Sequence, residues 1–320
     1  MWKKLSAFLR KWMLPLAMTT GVAVYLLLHF VPSFHEDGYL RFARTWQPVL
    51  IGLMLFLQLN VVAPSDLHFR RWHFRLLAAQ ALLFAVFAFL TARAGTPESR
   101  ILLESAMLCF ICPTAAAAGV ITSKIGGDLP AVLTYTVLSD TLAALLIPLM
   151  VPYIHPSEEL GFLPAFWGVI REVFSILVLP TLLAWFIRYA FPPLQKKLAK
   201  LVDGAFYAWS VGLIFALSLA TAALVESGIG WGLTVLIGLV SLACCLFQFW
   251  FGRRMARSDG RGDSLSAGQS LGQKNTGFII WLGLSYLTPV TSVAGGLYAI
   301  WHNLVNSFEL YQSAQEQQQG

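Results

Sequence analysis

The chain has 320 residues, of which 57% are hydrophobic and only 12% are charged. Its mean hydropathy is +0.68, and soluble domains carry about 25% charged residues, so the composition excludes an ordinary soluble protein. We predict an all-α integral membrane protein that lies in the lipid bilayer as one membrane domain. The net charge of +6 is typical of cationic side chains on the cytoplasmic side of a membrane protein, and we expect no nucleic-acid partner.

Apolar stretches along the chain predict ten membrane spans. The first apolar stretch is longer than that of a signal peptide, so we interpret it as a span. The Gln-rich residues 312–320 are predicted to form a disordered tail. The spans are predicted at about 13–32, 45–63, 74–93, 99–123, 129–152, 164–190, 205–225, 229–252, 263–287 and 289–311.

Basic residues are distributed unequally between the two sides of this arrangement. Sixteen of the 22 Lys and Arg residues fall on the side that holds both termini, five fall on the other side, and Lys274 lies within a span. Because cytoplasmic loops carry the excess of Lys and Arg, we predict that both termini are cytoplasmic. The expected location is the bacterial inner membrane.

The fourth and ninth spans are both interrupted. Ten spans divide into two halves of five, and an odd number of crossings inverts the second half, so these two spans occupy corresponding places. The fourth carries Cys112-Pro113-Thr114, and the ninth carries Gly268, Gly272 and Gly277. Paired interruptions of this kind indicate a transporter site near the membrane midplane, because broken helices leave backbone groups free to bind a ligand or an ion.

Lys274 lies about eleven residues into the segment 263–287, which places it near the bilayer centre. A charge at that depth costs at least roughly 2.5–3.5 kcal/mol unless it is paired or faces water, and such residues mark substrate or ion pathways. Asp140 in the fifth span is the other ionisable group at this depth, and we expect an Asp140–Lys274 ion pair to satisfy both charges. The alternative to a functional role is a static structural bridge.

Two segments of the chain carry a resemblance to a known family. They are CPTAAAAGVITSKIGGDLPAVLTYTVLSDTLAALLIPLMVP (Cys112–Pro152) and GQKNTGFIIWLGLSYLTP (Gly272–Pro289), with support from VIREVFSILVLPTLLAWFIRYAFP in the sixth span and Trp301-His302-Asn303 in the last. In these segments the chain resembles the bile acid:sodium symporter family, within the superfamily that includes arsenite exporters. The resemblance covers most of the chain, and the Cys-Pro turn and Asn275-Thr276-Gly277 are its most specific parts.

The resemblance implies two inverted five-helix repeats in which the broken helices 4 and 9 cross. It also implies a panel domain (about 13–63 and 164–225) and a core domain (about 74–152 and 229–311). The substrate, an organic anion in most of the family, would enter a crevice between them. The crossing region would be formed by Pro113, Thr114, Ala118, Gly119, Thr136, Asp140, Ser270, Gln273, Lys274 and Asn275.

The chain departs from the family at the residues that would bind sodium. Ala118 and Gly119 stand where the family has a Ser-Asn pair, and Val132 stands where it has a serine, although Thr136 is retained. Ser270 replaces the family's glutamate. Because a hard cation needs several oxygen ligands, we expect no bound sodium and no other metal cofactor.

A replacement for the sodium ion is visible in the same segment. Lys274 stands where the family has a glutamine, so its ammonium would lie where a sodium ion otherwise binds. We therefore predict a sodium-independent secondary transporter of a small organic anion, either facilitative or coupled to protons. The alternatives are a sodium symporter with relocated ligands, a channel-like pore, and a sensor or scaffold that transports nothing.

Other polar residues in the spans allow two interpretations. Gln58 and Asn60 in the second span, and His302 and Asn303 in the last, line the crevice or form hydrogen bonds between helices. The six histidines offer no HExxH pair of a zinc enzyme, and Asp140 has no evident second aspartate on a facing helix, as an intramembrane aspartyl protease needs. We therefore do not expect an enzyme. We interpret the four cysteines, which include a Cys109-x-x-Cys112 pair, as packing residues.

Overall fold

The computed structural model describes residues 2–31, 36–115, 117–156, 161–202 and 204–319, and these form fourteen α-helices with no β-strand. Three 3₁₀ turns lie at 64–66, 257–259 and 289–291. The helices are α1 (Trp2–Phe30), α2 (Glu36–Leu59), α3 (Arg71–Ala92), α4 (Pro97–Ile111), α5 (Ala118–Lys124), α6 (Leu129–Ile154), α7 (Phe162–Leu177), α8 (Leu179–Ala190), α9 (Pro192–Ala199), α10 (Gly204–Glu226), α11 (Trp231–Met255), α12 (Arg261–Gly272), α13 (Thr276–Tyr286) and α14 (Ser292–Gln319).

Five helices are long and apolar enough to cross a membrane by themselves: α2, α3, α6, α10 and α11. The pair α7–α8 passes the same test as one span bent by 46°, and Pro180 in the first turn of α8 lies at this bend. Every predicted span overlaps one helix or two consecutive helices. These features make the chain a multi-pass membrane protein, while the count of ten spans remains a prediction.

The helices pack in two groups around the crossing described below. In one group, α10 packs against α1 and α2, and α2 also packs against α7 and α8. In the other group, α3 packs on α4 and α6, α11 packs on α4, α12 and α14, and α13 packs on α14. The two groups also touch, since α6 packs on α7 and α10 packs on α13 and α14. The two groups contain the helices expected for panel and core, and this division stays a prediction.

The C-terminal segment differs from its prediction. Residues 312–319 continue α14 as a helix and are not a disordered tail. Ala, Glu and Gln are good helix formers, and the segment is anchored by an ion pair between Arg261 and Glu316 and by a hydrogen bond from Ser313 Oγ to the Lys124 carbonyl (3.4 Å).

Glu104 of α4 is fully buried and joins three segments at one end of the bundle. One carboxylate oxygen accepts hydrogen bonds from Arg100 Nε (3.1 Å) and His155 Nε2 (2.8 Å), and the other accepts from the Thr288 backbone N–H (2.9 Å). The carboxylate therefore holds α4 to the end of α6 and to the turn between α13 and α14.

Candidate functional site

The first broken span is interrupted between α4 and α5. Pro113 has no N–H to donate and disfavours helical geometry in the residue before it. Accordingly, Cys112 leaves the helix with φ −54° and ψ 132°. The chain re-enters a helix only at Ala118, which frees backbone groups near the middle of the span.

The second broken span is interrupted between α12 and α13. Helix α12 ends at Gly272, where an added Cβ would lie 2.4 Å from the ring of Phe249 on α11, so only glycine permits this close packing. Helix α13 begins after Asn275, whose side-chain oxygen accepts a hydrogen bond from the Phe278 N–H (3.2 Å). This N-cap starts the new helix at a defined residue.

The two interruptions cross and bind each other through their backbones. Thr114 and Lys274 lie opposite each other in an isolated antiparallel bridge. The Ala115 N–H donates to the Gln273 carbonyl (2.8 Å), and the Asn275 N–H donates to the Pro113 carbonyl (3.0 Å). Each break thus provides hydrogen-bond partners for backbone groups that the other break leaves unpaired.

Hydroxyl groups surround the crossing. Thr114 Oγ1 donates to the Ser270 carbonyl (2.6 Å), and the Thr114 N–H donates to Ser139 Oγ (3.2 Å). Ser270 Oγ is buried and has no hydrogen-bond partner among the described residues. The crossing is therefore a buried polar centre inside an apolar bundle.

Two glutamine–tyrosine pairs support the breaks, one in each half of the chain. Gln80 on α3 donates to the carbonyls of Ile111 (3.0 Å) and Cys112 (3.3 Å) and accepts from Tyr135 on α6 (2.9 Å). In the second half, Gln248 of α11 donates to Tyr298 of α14 (3.1 Å), which donates to the carbonyl at the end of α12 (2.8 Å). None of these four residues was predicted from the sequence, although a glutamine inside an apolar span is a signal that points to such a role.

The expected ion pair between Asp140 and Lys274 is not formed. Both side chains are buried, and neither charged group has a hydrogen-bond or ion-pair partner in the described part of the chain. The reason is the position of Asp140 on α6. Ser139 is the residue of this turn that contacts the crossing, since its Oγ accepts from the Thr114 N–H (3.2 Å), and successive residues project about 100° apart around a helix.

The residues predicted to have lost sodium-binding oxygens lie close to the crossing in α5 and α6. Ala118 is fully buried, and an added Cβ at Gly119 would lie 2.5 Å from Leu129 Cδ1. A side chain at 119 would therefore displace Leu129. Val132 is buried and apolar, and Thr136 donates its hydroxyl to the Val132 carbonyl (3.0 Å), so this part of the crossing offers few free oxygens to a hard cation.

The residues predicted for the crevice have different surroundings. The buried Asn60 follows α2 and donates to the Gln195 carbonyl on α9 (3.4 Å), which favours the helix-packing interpretation. Gln58 is half-buried, and so is Asn303, which bonds within its own helix to the Ala299 carbonyl (2.7 Å). His302 is buried, and its Nδ1 has no partner among the described residues.

Gln47 is a further polar residue that the sequence analysis missed. It is buried in α2, and its Nε2 donates to the Gly277 carbonyl in the first turn of α13 (3.0 Å). This bond joins one helix group to the other directly beside the crossing. The polar side chain before Pro48 in an apolar span was the available signal.

The comparison with known protein families agrees with the resemblance. The model of the sodium bile acid symporter family matches residues 45–227, which is more than half of the chain. The match includes the first break and ends before the segment that contains Lys274. No curated protein matches the sequence. The members of this family are transporters, which fits the expectation that the chain is not an enzyme. Because the match covers more than half of the chain, the chain belongs to the sodium bile acid symporter family.

Proposed function

We propose that the protein is a secondary carrier that moves a small organic anion across the membrane. Transport occurs by alternating access between the two helix groups. The observation that supports this proposal best is the buried Lys274 at the crossing, without a counter-ion among the described residues. An uncompensated charge is costly to bury, so its retention favours a role in binding a mobile anion. Asn275 beside it offers a free amide Nδ2 as a further donor.

The proposed carrier does not require sodium. Ala118, Gly119 and Val132 supply no side-chain oxygen, and the Lys274 ammonium repels a cation at the same crossing. The positive charge of Lys274 takes the part that a bound sodium ion would play in attracting the anion.

A second candidate is a sodium symporter with relocated ligands. It is favoured by one specific observation, which is that several buried oxygens have no partner among the described residues. These are both carboxylate oxygens of Asp140, Ser270 Oγ and Gln273 Oε1. Carboxylate, hydroxyl and amide oxygens are suitable ligands for a hard cation, so sodium dependence separates the two candidates.

The proposed orientation places both termini in the cytoplasm, on the side that carries Arg253, Arg257 and Arg261. Its support is the unequal distribution of basic residues. The test introduces single cysteines into the loops of the protein and treats intact cells with a membrane-impermeant thiol reagent.

Uptake into proteoliposomes tests the function. The probes are radiolabelled cholate, taurocholate and benzoate, each with a sodium or a potassium gradient. We expect saturable uptake of at least one probe that is equal in the two salts and shows counterflow. Uptake that needs sodium would favour the second candidate, and flux that does not saturate would favour a pore.

A further inference from the structure

One face of α14 carries a continuous series of buried polar side chains. Tyr298, His302, Asn306 and Glu309 recur at intervals of four, four and three residues, which places them on one side of the helix. Their exposed fractions are 0, 5, 4 and 7%. Leu304 and Phe308 on the same helix are about 60% exposed, so the polar series faces inward while apolar residues face outward.

Single side-chain hydrogen bonds join helix α12 to this polar face. Gln269 Nε2 donates to Asn306 Oδ1 (3.0 Å) and to Glu309 Oε2 (2.8 Å). One turn further along α12, the Gly272 carbonyl accepts from the hydroxyl of Tyr298. His302 lies between Tyr298 and Asn306 on α14, and Lys274 follows Gly272 by two residues in the chain.

Several polar atoms along this path lack a partner. Within the described residues, no hydrogen bond satisfies His302 Nδ1, Asn306 Nδ2, Gln269 Oε1, Gln273 Oε1 or Lys274 Nζ. Buried polar groups are normally paired with protein or with water. Buried waters that make two to four hydrogen bonds each would satisfy such a series.

The outer end of the series opens to solvent. Glu309 forms an ion pair with Arg253 (2.5 Å), whose side chain is 37% exposed. Both residues line a cleft of about 410 Å³ that also contains Arg257, Ser264 and Ser313. Glu309 therefore lies where the buried polar series meets the cleft.

We propose that this polar face of α14, together with Gln269 and Gln273, is a hydrated route that carries protons between the cleft and Lys274. The proposal rests on the proposed function, in which Lys274 replaces the coupled sodium ion, and it names the proton as the coupling ion. The titratable and charged groups around the route are Arg253, Glu309, Tyr298, Cys109, Cys112, Cys244, Cys245 and, next to Cys112, Asp140.

The transfer is balanced at each step. A proton from the cleft converts the Glu309 carboxylate to the carboxylic acid. It passes through water and the imidazole of His302, which accepts a proton on one nitrogen and releases one from the other. It ends on the Lys274 amine, which becomes an ammonium ion. In every hop one O–H or N–H bond breaks and one forms, and the reverse sequence releases the proton.

Cysteine accessibility tests the route without any substrate. Single variants His302→Cys and Asn306→Cys are treated with a charged, water-soluble methanethiosulfonate, and Leu304→Cys and Phe308→Cys serve as lipid-facing controls on the same helix. The four native cysteines are buried and give the background. We expect the two polar-face variants to react at least about tenfold faster, because a thiolate forms only where water is present. Rates no faster than those of the controls would overturn the proposal.

A matched pair of glutamates tests proton coupling. Glu309 and Glu316 lie on the same helix and each pairs with an arginine, but only Glu309 belongs to the series. We expect Glu309→Gln to lose uphill uptake of the transported probe driven by a pH gradient while it retains anion exchange, and Glu316→Gln to retain both. Unchanged uphill uptake in Glu309→Gln, or an equal loss of both activities, would overturn the proton route. Failure of the wild type to exchange any probe would instead contradict the proposed function, and the labelling rates would still decide the route.

Discussion

Thr114 and Lys274 lie opposite each other in an antiparallel bridge that joins the two broken spans. They lie about 160 residues apart in the chain. The residues on either side of them form two backbone hydrogen bonds, from the Ala115 N–H to the Gln273 carbonyl and from the Asn275 N–H to the Pro113 carbonyl. These bonds fix the backbone that carries the ammonium group. The position of Lys274 is therefore set by the fold, while its ammonium group has no hydrogen-bond partner among the described residues.

Replacement of Lys274 by glutamine separates a functional charge from a structural one. The amine has no partner among the described residues, so Lys274→Gln should leave the melting temperature unchanged or raise it, because an unpaired buried charge is removed. We expect uptake of the transported anion to fall at least about tenfold, which corresponds to about 1.4 kcal/mol. The exposed Lys124→Gln is the control. A variant that transports normally would show that the charge is not used.

The hydrogen bond between Gln47 and Gly277 crosses the boundary between the two helix groups. If these groups move against each other, the bond must break in each cycle. We expect a short cross-link between Gln47→Cys and Gly277→Cys to stop uptake. A cross-link between Tyr39→Cys and Ser218→Cys, two residues in contact within one group (3.0 Å), should leave uptake intact. Normal uptake by the first cross-linked protein would contradict alternating access at this boundary.

The two tyrosines that support the breaks should contribute to stability. Tyr135→Phe leaves the buried amide oxygen of Gln80 without its donor, and Tyr298→Phe leaves the Gly272 carbonyl without its donor. Each loss should lower the free energy of unfolding by about 1–3 kcal/mol, measured by thermal unfolding in detergent. Tyr153→Phe is the matched control because Tyr153 is about half exposed. If all three variants melt at the temperature of the wild type, the hydrogen bonds of Tyr135 and Tyr298 do not stabilise the breaks.

Glu104 should hold its end of the bundle together. Glu104→Gln removes a charge that accepts three hydrogen bonds in a buried place, and we expect a loss of about 1–3 kcal/mol. Glu98→Gln, in the exposed first turn of the same helix, should change little. Thermal unfolding measures both. If Glu104→Gln and Glu98→Gln melt at the same temperature, the buried hydrogen bonds of Glu104 do not stabilise the protein.

The two breaks were predictable because their causes are local. A proline removes one hydrogen bond of its own helix, and a glycine or an asparagine marks a helix end from its own backbone and side chain. The absence of side-chain oxygens at Ala118 and Gly119 is visible in the sequence, while the loss of sodium binding stays a prediction.

The contacts of the site were less predictable because they depend on how the helices turn toward each other. Asp140 and Lys274 were expected to pair because both lie at membrane depth, but depth does not give the direction of a side chain. The supports from Gln80 and Gln248 come from other helices, and nothing near the breaks in the sequence points to them.

The most direct test of the central claim is the thermal stability of the purified protein with organic anions, each in sodium and in potassium. The panel contains cholate, taurocholate and benzoate. A ligand that binds only the folded state raises the melting temperature by mass action. If Lys274 has taken the place of sodium, at least one anion stabilises the protein equally in both salts. Stabilisation that appears only in sodium would contradict the account and show that the cation site has been relocated.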